Sequence, residues 1–436
     1  MAIKVGMVSL GCAKNQVDGE MLMANLKNAG FELCDDAALA DVAIVNTCGF
    51  IDSAKQESID EILELATLKK EGRIKKIVVT GCLAERYREE IHKELPEVDG
   101  VFGIGANADI AACIESAMND FTESFPEKSK MPLCGERELS TPSYFAYIKI
   151  AEGCDNKCTY CAIPMIRGGY RSRPKTDILA EVRKLAAEGV KEFTLIAQDT
   201  TRYGTDLGGP SRLPELIEEV AAIPGVEWLR TLYCYPERVD DRLLDTIERL
   251  PNVCNYLDLP MQHISQHILT DMNRTDTSEH IREVCAKFKA RGMMLRTTMM
   301  VGFPGETQED FDELMDFVRE TKFDRMGAFT FSPEEGTVAA EMENQVDEAV
   351  KQARYDELMT LQHRISLEQN RTRVGTVCRV LVEKKRGSRY VGRSEFEAPE
   401  TDGNIYFGSS EPCTIGEFVN VRITGAKAYD LMGERV

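Results

Sequence analysis

Histidine is scarce, with five residues in 436, at positions 92, 263, 267, 280 and 363. Only His263 and His267 stand at helical spacing, and that pair reads as a polar helix face or a single core histidine rather than a ligand set. Basic residues are also in deficit. Lys plus Arg number 53 against 73 Asp plus Glu, a net charge of −20, which is the wrong sign for gripping nucleic acid over most of the surface. An acidic surface suits a basic partner. From Arg371 onward the balance reverses to eleven basic against nine acidic residues, leaving −22 for the rest of the chain. Any nucleic-acid contact is therefore local. Long apolar runs are missing as well, and no stretch approaches a membrane span. The opening run IKVGMVSL is too short for a signal segment and leads into GCAKN rather than a small-residue cleavage site. The expectation is a cytoplasmic protein with no membrane partner. Internal repeats and low-complexity tracts are absent too. What remains is an ordinary globular composition, 43% apolar and 29% charged, at a length that suits about two to three domains.

Cysteine, by contrast, is plentiful, at fourteen residues. In a reducing compartment that number points to metal ligation, catalysis or burial rather than to disulfides. Its placement follows the organisation of the chain. Residues 1–120 alternate short apolar runs (IKVGMVSL, DVAIVNT, KIVVTG) with helical patterns such as SAKQESIDEILELATLKK, the signature of an open parallel α/β sheet. Cys12, Cys48 and Cys82 stand where those three runs end. Parallel strands point the same way, so residues just past their carboxyl ends converge on the edge where α/β folds bind ligands.

Residues 121–139 (FTESFPEKSKMPLCGEREL) read as an irregular polar linker. From 140 to 370 a second βα series contributes six strands, YFAYIKIAEGC, KEFTLIAQD, EWLRTLYCYP, NYLDLPMQH, MMLRTTMMVGFPGE and RMGAFTFSPEEG. This predicts a parallel barrel or part of one, working at the carboxyl ends of its strands. Residues 371–436 change to short β-type runs broken by Gly, Pro and Asp, which predicts a small antiparallel β-barrel that docks macromolecules.

The strongest chemical signal is EGCDNKCTYCAIP, which sets Cys154, Cys158 and Cys161 in a C-x3-C-x2-C spacing directly after the first barrel strand. Zinc is the rival reading, but a structural zinc site wants four protein ligands and no further Cys or His lies nearby in sequence. Three thiolates on a loop suit a 4Fe-4S cube with one iron left open.

This motif, with Tyr160 before its last cysteine and a βα barrel around it, resembles the radical S-adenosylmethionine (SAM) enzymes. There SAM chelates the open iron and is cleaved to a 5′-deoxyadenosyl radical. An α/β domain with dispersed cysteines, a radical SAM barrel and a terminal β-barrel is the layout of the methylthiotransferases, whose last domain is called TRAM. The resemblance covers the whole chain. It implies SAM and two 4Fe-4S clusters as cofactors, one on Cys154, Cys158 and Cys161, the other an auxiliary cluster on Cys12, Cys48 and Cys82 that holds the sulfur to be transferred. SLGCAKNQVDGE and NTCGFIDSAKQESI resemble the branch that modifies an aspartate of the twelfth small-subunit ribosomal protein, with Ala13 and Gly19 departing from the usual proline and serine. The implied activity is transfer of a methylthio group to an aspartate β-carbon. The implied partners are that basic ribosomal protein, an electron donor such as a flavodoxin or ferredoxin, and a local ribosomal RNA contact through TRAM, where EKKRGSRY forms a short basic patch. The alternatives are the branch acting on a transfer-RNA adenosine and a non-catalytic iron-sulfur sensor that binds ribosomes.

Other motifs carry less. Tyr160, Gln198, Gln262, Gly302 and Gly305 are the candidate SAM contacts, with Asp258 also near a strand end, although the glycines of VGFPGET also serve simply to turn the chain. Arg167, Arg171 and Arg173 of MIRGGYRSRP read as surface ion pairs or holders of an anion. The eight remaining cysteines (34, 113, 134, 234, 254, 285, 378 and 413) are expected to pack as small apolar residues.

Overall fold

A computed structural model describes residues 2–436. Strands β1 (Lys4–Ser9), β2 (Glu32–Cys34), β3 (Val42–Thr47), β4 (Lys76–Gly81), β5 (Gly100–Phe102) and β6 (Thr122–Ser124) form one parallel sheet in the order β2-β1-β3-β4-β5-β6. The Val- and Ile-rich β3 is buried along its whole length, as a strand covered on both faces must be. Its alternate residues feed two separate cores, Ala43 and Val45 on one face, Val42 and Ile44 on the other. Sequence periodicity found β1, β3 and β4. The three-residue β2, β5 and β6 are too short to show a period and are strands through pairing with their neighbours, β2 and β6 at the sheet edges, so part of the segment read as linker extends the sheet.

The second sheet orders its strands sequentially: β7 (Phe145–Lys149), β10 (Glu192–Ile196), β11 (Trp228–Thr231), β12 (Val253–Asp258), β13 (Met294–Val301) and β14 (Arg325–Thr330), all parallel. Between the first two, β8 (Ala151–Glu152) and β9 (Arg171–Ser172) make a small antiparallel hairpin around the three-cysteine loop. Six strands make an open barrel. Outward residues such as Ala146, Phe193 and Leu229 pack under the helices, while inward ones, Tyr147, Trp228 and Tyr256 among them, line a concave face.

The last five strands, β15 (Val377–Arg386), β16 (Arg389–Arg393), β17 (Ile405–Gly408), β18 (Phe418–Ala426) and β19 (Leu431–Arg435), close into a barrel in the order β15-β16-β17-β19-β18. The β17–β19 pair is parallel, the others antiparallel, because β18 crosses over before β19 fills the gap beside β17.

The concave face of the open barrel is not left to solvent. Val17 and Met21 of the helix Ala13–Asn28 and Leu381 and Ala398 of the terminal barrel join Phe145, Tyr147, Trp228 and Tyr256 in one core. The loop between β16 and β17 reaches into this face. Glu400 accepts from the Tyr147 hydroxyl at 2.9 Å and Asp402 from Tyr256 at 2.8 Å. With the side opening filled, the way in is at the carboxyl ends of the strands. Among the described residues no helix is long and apolar enough to cross a membrane.

Candidate active site

Cys12, Cys48 and Cys82 follow the adjacent strands β1, β3 and β4 at one edge of the first sheet. Cys12 caps the helix Ala13–Asn28, Cys48 follows β3, and Cys82 opens the short helix Cys82–Arg86 directly after β4. Two glycines permit the approach. A Cβ on Gly11 would lie 2.8 Å from the Cys48 sulfur, and one on Gly81, at φ 92°, would lie 2.6 Å from the Thr47 carbonyl. Asn15 pins the ends of β1 and β3 together, its Nδ2 donating to the carbonyls of Leu10 (2.8 Å), Asn46 (3.2 Å) and Thr47 (3.2 Å). Ser58 clamps Cys48 by accepting from its N–H and donating to its carbonyl, both at 3.1 Å.

The second triad sits on the loop after β8. The Cys154 N–H donates to Gly168 O at 3.0 Å and the Cys161 N–H to Cys158 O at 3.1 Å. The Tyr235 hydroxyl lies 2.9 Å from Cys158 Sγ, and the buried Arg274 guanidinium lies 4.0 Å from the Tyr235 ring centroid. Burial pushes the Cys154 thiol up to about 11 and the Cys82 thiol up to about 12. Burial also opposes ionisation of Cys12, but Lys14 and Arg167 together hold its thiol below the usual value.

Between the triads lies a buried charge network. Arg167, only 1% exposed, ends the helix Ile163–Arg167 that follows Cys161. Its Nη1 donates to Asp18 (2.8 Å) and to both oxygens of Glu152 (3.1 Å), and its Nη2 reaches Asn15 Oδ1 at 3.4 Å and Cys82 Sγ at 3.5 Å. Lys149 pairs with the same two carboxylates. Thus one guanidinium touches a thiol of the first triad while Glu152 adjoins the loop of the second, its carboxylate accepting from the Gly153 N–H at 3.0 Å. The surface reading of the arginine cluster is corrected here. Arg167 and Arg173 are buried, the latter against Glu181, while Arg171 stays half-buried and donates to the Ser129 carbonyl at 2.7 Å.

A cavity of about 620 Å³ opens where the two parts face each other, a size that suits a small-molecule cofactor. Tyr160 and Gln262 line it with Thr298 and Met300 from the barrel, and Phe50 to Ser53 close it from the first sheet. Gln198, Gly302 and Gly305 lie outside this cavity. Gln198 approaches Glu152 at 3.5 Å. The Gly302 and Phe303 amides donate to Glu306, and a Cβ on Gly302 would meet Lys351 at 2.2 Å, so this turn is packed by the chain itself. Asp258 is occupied by Arg296 at 2.8 Å. His263 is fully buried and His267 is half-exposed beside Asp271 and Asp310, the core-histidine reading. Of the eight other cysteines, Cys134 alone is exposed, which departs from the expectation of packing.

The residues fit iron-sulfur clusters better than a zinc ion. Among the described residues no three His, Cys, Asp or Glu side chains come close enough to hold one ion, whereas a four-iron cube spreads its thiolates over separate irons. A cube on three thiolates is anionic, and the buried cations Lys14 and Arg167 stand beside the first triad to meet that charge.

Residues 4–103 match the family described as Uncharacterized protein family UPF0004, residues 148–318 the Radical SAM superfamily, and residues 374–436 the TRAM domain. A protein of Desulforamulus reducens described as ribosomal protein uS12 methylthiotransferase RimO is 49% identical over 438 residues, covering 99% of both chains. Its counterpart in Clostridioides difficile is 48% identical over 99% of this chain and 98% of its own. The chain belongs to the RimO methylthiotransferase family. It is thus a radical SAM transferase, and the family implies SAM and a 4Fe-4S cluster. Among solved structures, the radical SAM methyltransferase TsrM from Kitasatospora setae superposes with a TM-score of 0.60 at 16% identity, over 78% of this chain and 77% of that one. That likeness bears on the fold.

The RimO-type site contains residues that sequence reasoning missed. Asn15, Ser58, Tyr235 and Lys14 all position or face the cysteines, and only Asn15 and Lys14, within GCAKN, had a nearby signal.

Proposed function

We propose that the chain adds a methylthio group to the β-carbon of an aspartate in ribosomal protein uS12, replacing one hydrogen. In this reading Cys154, Cys158 and Cys161 hold the cluster that binds SAM, and Cys12, Cys48 and Cys82 hold the auxiliary cluster. When bound, the two clusters and SAM supply one-electron chemistry and the sulfur and methyl to be transferred. The protein's own contribution is position and charge. Asn15 and Ser58 fix the strand-end thiols, Tyr235 supports Cys158, Arg167 ties Cys82 to the helix behind Cys161, and Tyr160 and Gln262 line the pocket assigned to SAM. The observation that carries the reading is the Arg167 guanidinium, which touches Cys82 and, through Glu152, the loop of the second triad, in a chain alike over its full length to RimO proteins. The acidic surface supports a basic protein substrate, a flavodoxin or ferredoxin supplies electrons, the basic patch of the terminal barrel meets ribosomal RNA, and the setting is the cytoplasm.

The test is anaerobic reconstitution with iron and sulfide, then incubation with uS12, SAM and a reductant. Mass spectrometry is expected to find one aspartate carrying SCH3 in place of hydrogen. Iron content falls by about half when either cysteine triad is changed to alanine, as expected for two four-iron sites. Methylthiolation of transfer RNA instead of uS12, or one triad holding all the iron, overturns the reading.

A further inference from the structure

The charge network between the triads is balanced except at one residue. Lys149 and Arg167 share Asp18 and Glu152, two cations with two carboxylates. Lys14 is 6% exposed, yet among the described residues it has no carboxylate within ion-pair distance. Its ammonium rests instead 3.2 Å from the centroid of the Tyr233 ring. A ring face is weak compensation for an ammonium taken out of water. An ammonium so placed keeps N–H donors that an incoming anion can pair with.

The direction of Lys14 says which anion. It lies on the first turn of the helix Ala13–Asn28, whose start has no side-chain cap and favours negative charge. Tyr233 lies on the loop directly after β11, at the carboxyl edge of the barrel, held at φ 60° with its N–H donating to Asp258. Lys14 therefore leans from the first triad toward the barrel edge, into the region between the two cysteine sets. Arg167 turns its Nη2 to the Cys82 sulfur, while the Lys14 ammonium stands between Cys12 and the Tyr233 ring and faces both the first triad and the barrel edge. On the reading proposed above, the residue that must enter this region is an aspartate, and its carboxylate is one bond from the carbon that reacts.

We infer that Lys14 binds the carboxylate of the substrate aspartate, with the Tyr233 ring as the wall of that subsite. The Lys14 ammonium thereby sets the position of the β-carbon and the preference for an acidic side chain. This rests on the aspartate methylthiotransferase reading.

The test uses the reconstituted full chain and uS12 carrying either aspartate or asparagine at the position that gains the methylthio mass. Wild-type protein is expected to bind the aspartate form on the order of 10- to 100-fold more tightly, the range for pairing a desolvated charge. Lys14→Gln brings the ratio close to one, and Lys14→Arg keeps most of it. SAM affinity and iron content are measured on the same preparations. An unchanged ratio in Lys14→Gln overturns the inference. So does a defect confined to SAM affinity or to iron content, which assigns the ammonium to the SAM carboxylate or to the cluster. Wild-type protein that adds no methylthio group to uS12 defeats the proposed function, and the inference with it, a result distinct from loss of discrimination in a working enzyme.

Discussion

Arg167 concentrates the logic of the site in one side chain. Its planar fork reaches Asp18, Glu152, Asn15 and Cys82 together, which a single ammonium cannot do. Arg167→Lys is therefore expected to keep the fold but lose the contact to Cys82. With a cluster on the first triad, as proposed, its midpoint potential then falls, because a cationic donor to a ligating sulfur favours the reduced form, and electrochemical titration followed by electron paramagnetic resonance reads the change. Arg167→Met leaves two carboxylates sharing Lys149 alone, at a cost of about 3–5 kcal/mol for a broken buried pair, seen as a lowered melting temperature. His263 makes a second residue-scale prediction. Burial depresses its pKa from 6.5 to about 3, against the attraction of Asp310 and with Arg354 and His267 also opposing the charged ring. The unfolded chain binds the proton first as pH falls, so stability is fully present above about 6.5 and is lost progressively down to about 3, by a few kcal/mol in all. Melting curves between pH 7 and 5 are expected to show this slope, and His263→Gln flattens it.

At the scale of elements, the first sheet and the open barrel are latched across the cavity mouth. Glu334, on the loop after β14, accepts from Arg86 at 2.8 Å and from Lys55 at 3.0 Å, and the Arg86 Nη2 also donates to Glu335 O at 2.7 Å. Glu334 is 3% exposed, so removing it leaves Arg86 and Lys55 without their shared anion in a poorly solvated place. Glu334→Gln is expected to loosen the two parts at this edge, raising amide hydrogen exchange in residues 50–55 and 332–337 while the barrel core keeps its protection. The strand ends respond differently. Asn15→Ala removes the donor that ties Leu10, Asn46 and Thr47, costing about 1–3 kcal/mol for the stranded carbonyls. Iron is then expected to be lost from the first triad and retained on the second. Equal loss from both counts against a local role.

The whole molecule is one unit because the core on the concave face of the barrel belongs to every part. Val17, Tyr147, Trp228, Tyr256, Leu381 and Ala398 pack together, and the Trp228 and Phe418 rings meet edge-on at 4.7 Å. Arg393, from β16, pairs with Glu192 at 2.7 Å beneath the barrel, and Arg230 shares that carboxylate. The terminal barrel is thus a plug for the concave face. A chain ending at residue 373 is expected to expose the concave face, to bind hydrophobic dyes and to melt well below the full chain. A truncated protein with an unchanged melting temperature contradicts the shared core.

Much was legible in the sequence because it is encoded locally. Period and strand length marked β1, β3, β4 and the six barrel strands, and those strands carried the cysteines to two carboxyl edges. Cysteine spacing determined the chemistry, since three thiols within eight residues constrain one another whatever else the chain does. The short strands β2, β5 and β6 were not legible, because pairing with a neighbour makes them strands. Nor were the burial of Arg167, the latch at Glu334 or the seat of Lys14 against the Tyr233 ring. Whether a charged side chain is solvated or enclosed depends on surfaces contributed by residues more than a hundred positions away, as Asp18 and Arg167 show. Local sequence determined where the sulfurs are, and tertiary packing alone decided which charges face them, because desolvation is a property of the assembled interface and not of any segment.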